Sequence, residues 1–137
     1  MAIPVRYQTA PTLDDIELIA RQVYETIPAV LRRHAENVVL HIEDFPNSEM
    51  EKDMGLASPF ELLGLYQGIS LDEKSVGDTA IDQDRIFLYR RPILDYWAES
   101  GDSLSHIVRH VLIHEIGHHF GLSDDDMEKI EKALTVD

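Results

Sequence analysis

The sequence reads HEIGHHFGLSD from position 114 to position 124, and this stretch decides what the rest of the chain must support. An α-helix turns by about 100° per residue, so His114 and His118 project from one face and their ring nitrogens can converge on one ion. Glu115 is offset by one position from the first histidine. This offset places its carboxylate beside an open coordination position, where it can accept a proton from bound water. The pattern therefore predicts a metal ion on a helix, with Glu115 as the catalytic general base.

Gly121 predicts the end of this helix, because glycine readily adopts the positive φ that reverses a chain. The reversal brings Asp124 back towards the helix end, where its carboxylate can serve as a third ligand. The predicted metal ligands are thus His114, His118 and Asp124, with a fourth position left for water or substrate. A short motif can arise by chance, but the glycine and the aspartate at fixed further spacings make the longer pattern specific.

The pattern resembles that of the extended zincin metallopeptidases, His-Glu-x-x-His-x-x-Gly-x-x-His/Asp, in the form that carries aspartate as third ligand. The chain also looks like a family of small bacterial zincin-like proteins, through LGLYQG at residues 63–68 and RIFLYRRPIL at residues 85–94. The resemblance covers roughly residues 38–126. It implies a minimal zincin of the α+β class, in which a small mixed sheet packs against the active-site helix. It also implies one Zn²⁺ ion and hydrolysis of peptide bonds.

Length and charge narrow the class of protein. A chain of 137 residues, 44% hydrophobic and 28% charged, predicts a single globular domain over residues 1–137. The net charge of −14 argues against nucleic acid and anionic membrane surfaces as partners, because both would be repelled. A peptide or protein substrate of basic character would be attracted, but solubility and acidic loops are the simpler explanation of the acidity. The sequence does not predict an oligomeric state.

The absence of cysteine excludes disulfides and thiolate metal sites, so any metal ligands must be histidines and carboxylates. Residues 1–7 lack the apolar core of a signal peptide, and no segment approaches the ~20 apolar residues of a membrane span. We therefore expect a cytoplasmic protein.

Periodicity, caps and turns predict the order of the elements. Residues 49–61 and 70–84 lack a clear period and are predicted to be loops, the first with one helical turn. The sheet is expected to pack on the helices through Val38, Leu40, Ile42, Phe87, Ile107, Val111 and Leu112. Helices are predicted at residues 13–26, 29–35, 92–98, 104–120 and 124–134, and strands at 38–43, 62–69 and 85–90.

Other polar side chains near the motif have less specific interpretations. His119 points away from His118 and is expected to support or pack against the site. His106 and His110 continue the spacing of four, but we expect the sheet to cover this half of the helix, which favours a hydrogen-bonded or rim role over a second metal site. Tyr66 and Tyr89 are candidates to stabilise a developing oxyanion, with packing as the alternative.

Three functions stay open at this stage. The first is a zinc peptidase. The second is a catalytically silent metal-binding module that recognises a peptide or protein, since few residues follow the motif to build a second wall for a cleft. The third is zinc-dependent hydrolysis of a non-peptide amide or ester. An open fourth coordination position would favour catalysis, and a fourth protein ligand would favour a silent module.

Overall fold

The computed structural model describes residues 9–68 and 84–135. Six α-helices and three strands lie within these ranges, together with a 3₁₀ turn at Pro59–Glu61. In chain order they are α1 (Leu13–Tyr24), α2 (Ala29–His34), β1 (Val39–Glu43), α3 (Ser48–Asp53), β2 (Gly64–Gln67), β3 (Arg85–Tyr89), α4 (Arg90–Ser100), α5 (Leu104–Phe120) and α6 (Asp124–Thr135).

The three strands form a mixed sheet in the order β1-β3-β2. β1 pairs with β3 in parallel, and β2 pairs with β3 in an antiparallel arrangement. β2 is thus an edge strand, and its outer edge is the one nearest the motif helix α5. The predicted α+β class, with a small mixed sheet packed against the helix of the motif, is confirmed.

Local signals set the ends of α5 as predicted. The Ser103 hydroxyl accepts a hydrogen bond from the His106 N–H, which satisfies a backbone donor that the first turn leaves unpaired. Gly121 ends the helix with φ 69°, a left-handed conformation that favours glycine. α5 has 17 residues, and no helix in the described parts of the chain combines the length and the apolar character that a membrane crossing requires.

The core surrounds α5, which is apolar on more than one side because it packs between α1, the sheet and α6. The predicted core residues Ile107, Val111 and Leu112 are buried. Val38, which precedes β1, and Leu40 and Ile42 of β1 are partly buried against the same core. The remaining buried aliphatic side chains of α5 are Leu104, Val108, Ile113 and Ile116.

The prediction for Phe87 was wrong. Side chains alternate between the two faces of a strand, and the core face of β3 takes Ile86 and Leu88, which are almost completely buried. Phe87 lies on the other face and stacks on His41, with ring centroids 5.1 Å apart. The short apolar run in β3 does not reveal which of its alternate residues faces the helices.

Two further boundaries differ from the prediction. α4 begins at Arg90 and not at Pro92, because proline is accommodated within the first turn, where an N–H has no helical partner. The predicted loop at residues 49–61 contains α3, whose first turn is capped by the Asn47 side chain. The predicted loop at residues 70–84 lies outside the described residues, except for Asp84.

Candidate metal centre

α5 carries four histidines spaced by four residues, and the rings of the last three, His110, His114 and His118, follow one another along one side of the helix. The ring centroids of His110 and His114 are 4.3 Å apart, and those of His114 and His118 are 6.2 Å apart. His110 and His118 are exposed, whereas His114 is partly buried. The predicted ligands His114 and His118 therefore share a face, with a further imidazole one turn earlier.

Glycine at position 64 allows the edge strand to lie directly on α5. A Cβ atom at Gly64 would lie 2.5 Å from Val111 Cγ1 and 3.4 Å from Glu115 Cγ, so a larger side chain would push β2 away from the helix. At this close approach the Tyr66 backbone N–H donates a 2.8 Å hydrogen bond to Glu115 Oε1. The predicted base is thus fixed to the edge strand.

The pairing of β2 explains why the Tyr66 N–H is available to Glu115. The Leu63 carbonyl accepts a hydrogen bond from the Tyr89 N–H at 2.9 Å. In an antiparallel pair such bonds occur at alternate residues, so the backbone polar groups of Gly64 and Tyr66 face the outer edge of the sheet. The carboxylate of Glu115 therefore lies along the edge where an extended chain could pair.

Glu115 is the buried charged residue of the described core, with 8% of its surface exposed. Burial raises its pKa above the ordinary value of 4.5, while the nearby His118 and the hydrogen bond from the Tyr66 N–H oppose this shift. His118 Nδ1 lies 3.4 Å from Glu115 Oε1. The structure thus brings the predicted base, one predicted ligand and the edge strand to one point.

α6 folds back along α5, and Gly117 makes the close contact between the two helices. A Cβ atom at Gly117 would overlap the Met127 sulfur, and Met127 is completely buried. This contact places the first and the second turn of α6 beside the histidines. Acidic residues of α6 can therefore reach the metal-binding face.

One acidic residue of α6 lies between two histidines of α5. Glu131 Oε1 is 2.5 Å from His110 Nδ1, and Glu131 Oε2 is 4.0 Å from His114 Nε2. One ligand atom from each of these three residues lies within 4.8 Å of the others, a group that can hold a metal ion. Two imidazoles and a carboxylate are a donor set that suits Zn²⁺.

The structure brings together part of the predicted ligand set. Among the described residues, His118 and Asp124 do not join the group that converges on Glu131. Asp124 is the first residue of α6 and is exposed, and its charge is one of the influences that raise the pKa of His114. The set of His114, His118 and Asp124 therefore stays a prediction.

His110 and Glu131 are the residues whose convergence the sequence interpretation missed. Glu131 follows Asp124 by seven residues, which is two turns of α6, so both lie on one face of that helix. His110 precedes His114 by one turn. These spacings and the chain reversal predicted at Gly121 are compatible with the convergence of His110 and Glu131. The convergence could not be predicted from them alone, because it also depends on the direction in which α6 returns along α5.

The environment of His114 favours the form of imidazole that binds metal. Burial lowers the pKa of His114, with smaller lowering effects from His110 and His118, while the carboxylates of Glu131 and Asp124 act in the opposite direction. A lowered pKa keeps the ring neutral near pH 7, and metal binding requires the neutral ring.

The two candidate oxyanion donors have different surroundings. Burial, together with Asp84, which is also hydrogen-bonded to the phenol, raises the pKa of Tyr66 to about 12. Burial and the charges of Glu43 and Glu115 raise the pKa of Tyr89 to about 12. Both phenols are protonated at neutral pH, but the Tyr66 phenol is already hydrogen-bonded to Asp84, and Tyr89 is almost fully buried as a packing residue. The side chain of His119 lies outside the described residues.

A groove of ≈ 390 Å³ is found elsewhere, lined by α1, the residues that follow α2, the sheet and α5. Its lining is largely apolar and contains none of the predicted site residues. The candidate metal centre is instead an open surface along α5, β2 and α6.

Comparison with known proteins identifies the family of this chain. The family model for zincin-like metallopeptidases matches residues 35–134. The comparison with curated proteins finds no match. Because the family match spans most of the chain, including the sheet, α5 and nearly all of α6, the protein belongs to the zincin-like metallopeptidase family.

Proposed function

We propose that this member of the zincin-like metallopeptidase family is a zinc-dependent peptidase with a single Zn²⁺ ion. His114, His118 and Asp124 are its zinc ligands, and Glu115 is its general base. The observation that carries the proposal is the position of Glu115, a buried carboxylate 3.4 Å from the His118 ring and hydrogen-bonded to the edge strand. An ordinary surface carboxylate on a helix would be neither buried nor attached to a strand.

The donor set fits the metal. Neutral imidazoles and a carboxylate are the ligands of catalytic zinc sites in which a fourth position is open. Zinc, when bound, supplies a Lewis acid that acidifies a water molecule and polarises the scissile carbonyl. The partly buried His114, neutral near pH 7, is the ligand that the described geometry supports most strongly.

The role of Glu115 follows from its environment. The carboxylate accepts a proton from the attacking water and delivers it to the leaving amine. Its pKa is raised by burial, which makes it a stronger base than an exposed carboxylate and brings it closer to the working pH of a proton shuttle. The hydrogen bond from the Tyr66 N–H holds the oxygen that also faces His118, which fixes the carboxylate beside this ligand.

An extended peptide substrate pairs with the outer edge of β2. Gly64 presents its backbone groups and Tyr66 its carbonyl to this edge, while the Tyr66 N–H holds Glu115, so a strand added there places a peptide bond next to the base. The net charge of −14 and the exposed Asp124, Asp125 and Asp126 favour cationic peptides through electrostatic attraction.

The test is the Glu115→Gln substitution, assayed on a peptide library rich in Lys and Arg. The glutamine can still accept the Tyr66 N–H but cannot accept a proton from water, so we expect zinc content to be unchanged and turnover to fall by about 10²–10⁴-fold. Glu128→Gln is the matched control, because Glu128 is exposed and paired with Lys132 on the same helix. A Glu115→Gln variant that cleaves as fast as the parent would exclude this role.

One observation favours the alternative of a metal-binding module that recognises a peptide or protein without cutting it. Glu131 lies beside His114, where a fourth protein ligand would close the open coordination position. The same assay, carried out on the parent protein, distinguishes a peptidase from a binding module. A module would retain zinc and bind library peptides, but it would show no cleavage that a chelator can abolish.

A further inference from the structure

We propose that His110, His114 and Glu131 form a second divalent-cation position, one helical turn before the catalytic one. The two positions share His114, so a single metal ion occupies one or the other. This inference rests on the proposed function only in assigning His114 also to a catalytic position. The second position is an inactive resting place for the metal.

The geometry of Glu131 supports this position. Its carboxylate reaches across from α6 to two imidazoles of α5, with one oxygen on each: Oε1 faces His110 and Oε2 faces His114. The Glu131 side chain is 16% exposed, whereas that of His110 is 51% exposed. A carboxylate in this setting, with two imidazoles converging on it, offers three ligand atoms from two helices that Gly117 and Met127 hold in close contact.

A simple ion pair between His110 and Glu131 explains less. An ion pair between these two side chains requires one imidazole and leaves the position of the second imidazole without a reason. His114 nevertheless turns its ring closer to His110 than to His118, with centroid separations of 4.3 Å and 6.2 Å. The arrangement of all three side chains is that of a ligand set.

The two positions exclude each other because His114 contributes one ring nitrogen to whichever ion it binds. With His114 engaged by His110 and Glu131, the catalytic position keeps His118 and Asp124, which are two ligands and too few for tight zinc binding. The converse holds for the second position. A metal ion therefore moves between the two positions and does not fill both.

A metal ion at the second position lacks a base. Glu115 follows His110 by five residues, which places it about 140° further round the helix. Its carboxylate is instead bonded to the Tyr66 N–H and lies beside His118. Removal of His118 should therefore leave a metal-loaded protein that cannot cleave peptides.

The experiment measures zinc binding by calorimetry, and zinc content after gel filtration, for His118→Ala alone and in combination. We expect His118→Ala to retain about one zinc per chain, with affinity lowered by about 10–100-fold. Addition of Glu131→Gln or of His110→Ala to this variant should lower the affinity by at least a further ~10-fold. Glu128→Gln, added in the same way, is the matched control and should change nothing.

Two results would overturn the inference. The first is a folded His118→Ala variant that binds no zinc. The second is an unchanged affinity when Glu131→Gln and His110→Ala are each added to it. Circular dichroism shows whether each variant folds, and His110→Ala alters an exposed side chain, so at least one combination stays informative. Because the readout is binding, a parent protein that cleaves no peptide would refute the proposed function and leave this test intact.

Discussion

Glu115 lowers the free energy of unfolding at neutral pH, because its carboxylate is buried between α5 and β2. Its carboxylate is buried, and burial is the largest influence that raises its pKa. A group with a raised pKa in the folded state contributes stability while it is protonated and loses that contribution as the pH rises through its folded pKa. At neutral pH the buried charge therefore destabilises the metal-free protein.

Replacement of this charge should stabilise the metal-free protein. We expect Glu115→Gln to raise the free energy of unfolding at pH 7, because the neutral amide is not subject to the burial that raises the pKa of the carboxyl. The gain should be smaller at pH 4.5, where about half of the unfolded carboxyl groups and a larger share of the folded ones are protonated. Urea denaturation with a chelator present, at pH 7 and at pH 4.5, measures the difference.

His114 affects stability with the opposite sign. Its folded pKa is lowered, so its contribution is present above the ordinary value of 6.5 and is lost as the pH falls. Parent and variant share His114, so its contribution largely cancels in their difference. A Glu115→Gln variant that is no more stable than the parent at pH 7 would show that the buried carboxylate is not destabilising.

At the scale of elements, the contact between α5 and α6 decides which acids reach the histidines. The contact is made by Gly117, where a side-chain methyl would overlap the Met127 sulfur. Asp124 and Glu131 lie on either side of Met127 along α6. A change in the spacing of the two helices therefore moves both acids away from α5.

We expect Gly117→Ala to lower the free energy of unfolding by about 1–3 kcal/mol, the cost typical of overpacking, and to weaken zinc binding. Met127→Ala should cost about 2–5 kcal/mol on its own, because it leaves a cavity. The double variant should cost less than the two single changes added together, since the alanine methyl then has room. Strict additivity in chemical denaturation would show that Gly117 and Met127 do not make this contact.

The elements that the sequence predicts well are those whose signals are local. Ser103 and Gly121 mark the ends of α5 with backbone chemistry that depends on adjacent residues alone, and both ends agree with the structure. The face of Phe87 and the start of α4 depend on packing and on the tolerance of a first turn for proline. These features were predicted incorrectly because alternation in a short apolar strand does not identify its buried face.

In the candidate site, too, the local features follow from the sequence and the long-range contacts do not. The spacing of His114, Glu115 and His118 lies within one helix, so their common side of α5 follows from the sequence. The hydrogen bond between Tyr66 and Glu115 joins residues 49 positions apart, and the approach of Glu131 to His110 joins residues 21 positions apart. Such long-range contacts depend on glycines that allow close packing, and the sequence shows the glycines but not their neighbours.

At the scale of the whole molecule, α5 and α6 supply the two proposed metal positions, and these share a single ligand, His114. Both proposed metal positions depend on it, whereas His118 and Asp124 belong to one position and His110 and Glu131 to the other. A metal ion that binds the folded chain but not the unfolded chain raises the free energy of unfolding. The increase is about 2.7 kcal/mol when the free metal concentration is one hundred times the dissociation constant. Loss of His114 should therefore remove both metal binding and this stabilisation.

The most direct test of the account is the zinc content of the purified protein and of its His114→Ala variant, by elemental analysis after dialysis against zinc and then against metal-free buffer. The account predicts about one zinc per chain in the parent and none in the variant, since His114 is common to both positions. His106→Ala is the control, because this histidine lies on the same helix and its nearest carboxylate is Asp102, at 3.9 Å within the same chain segment. A parent that holds no zinc, or a His114→Ala variant that holds as much as the parent, would contradict the account.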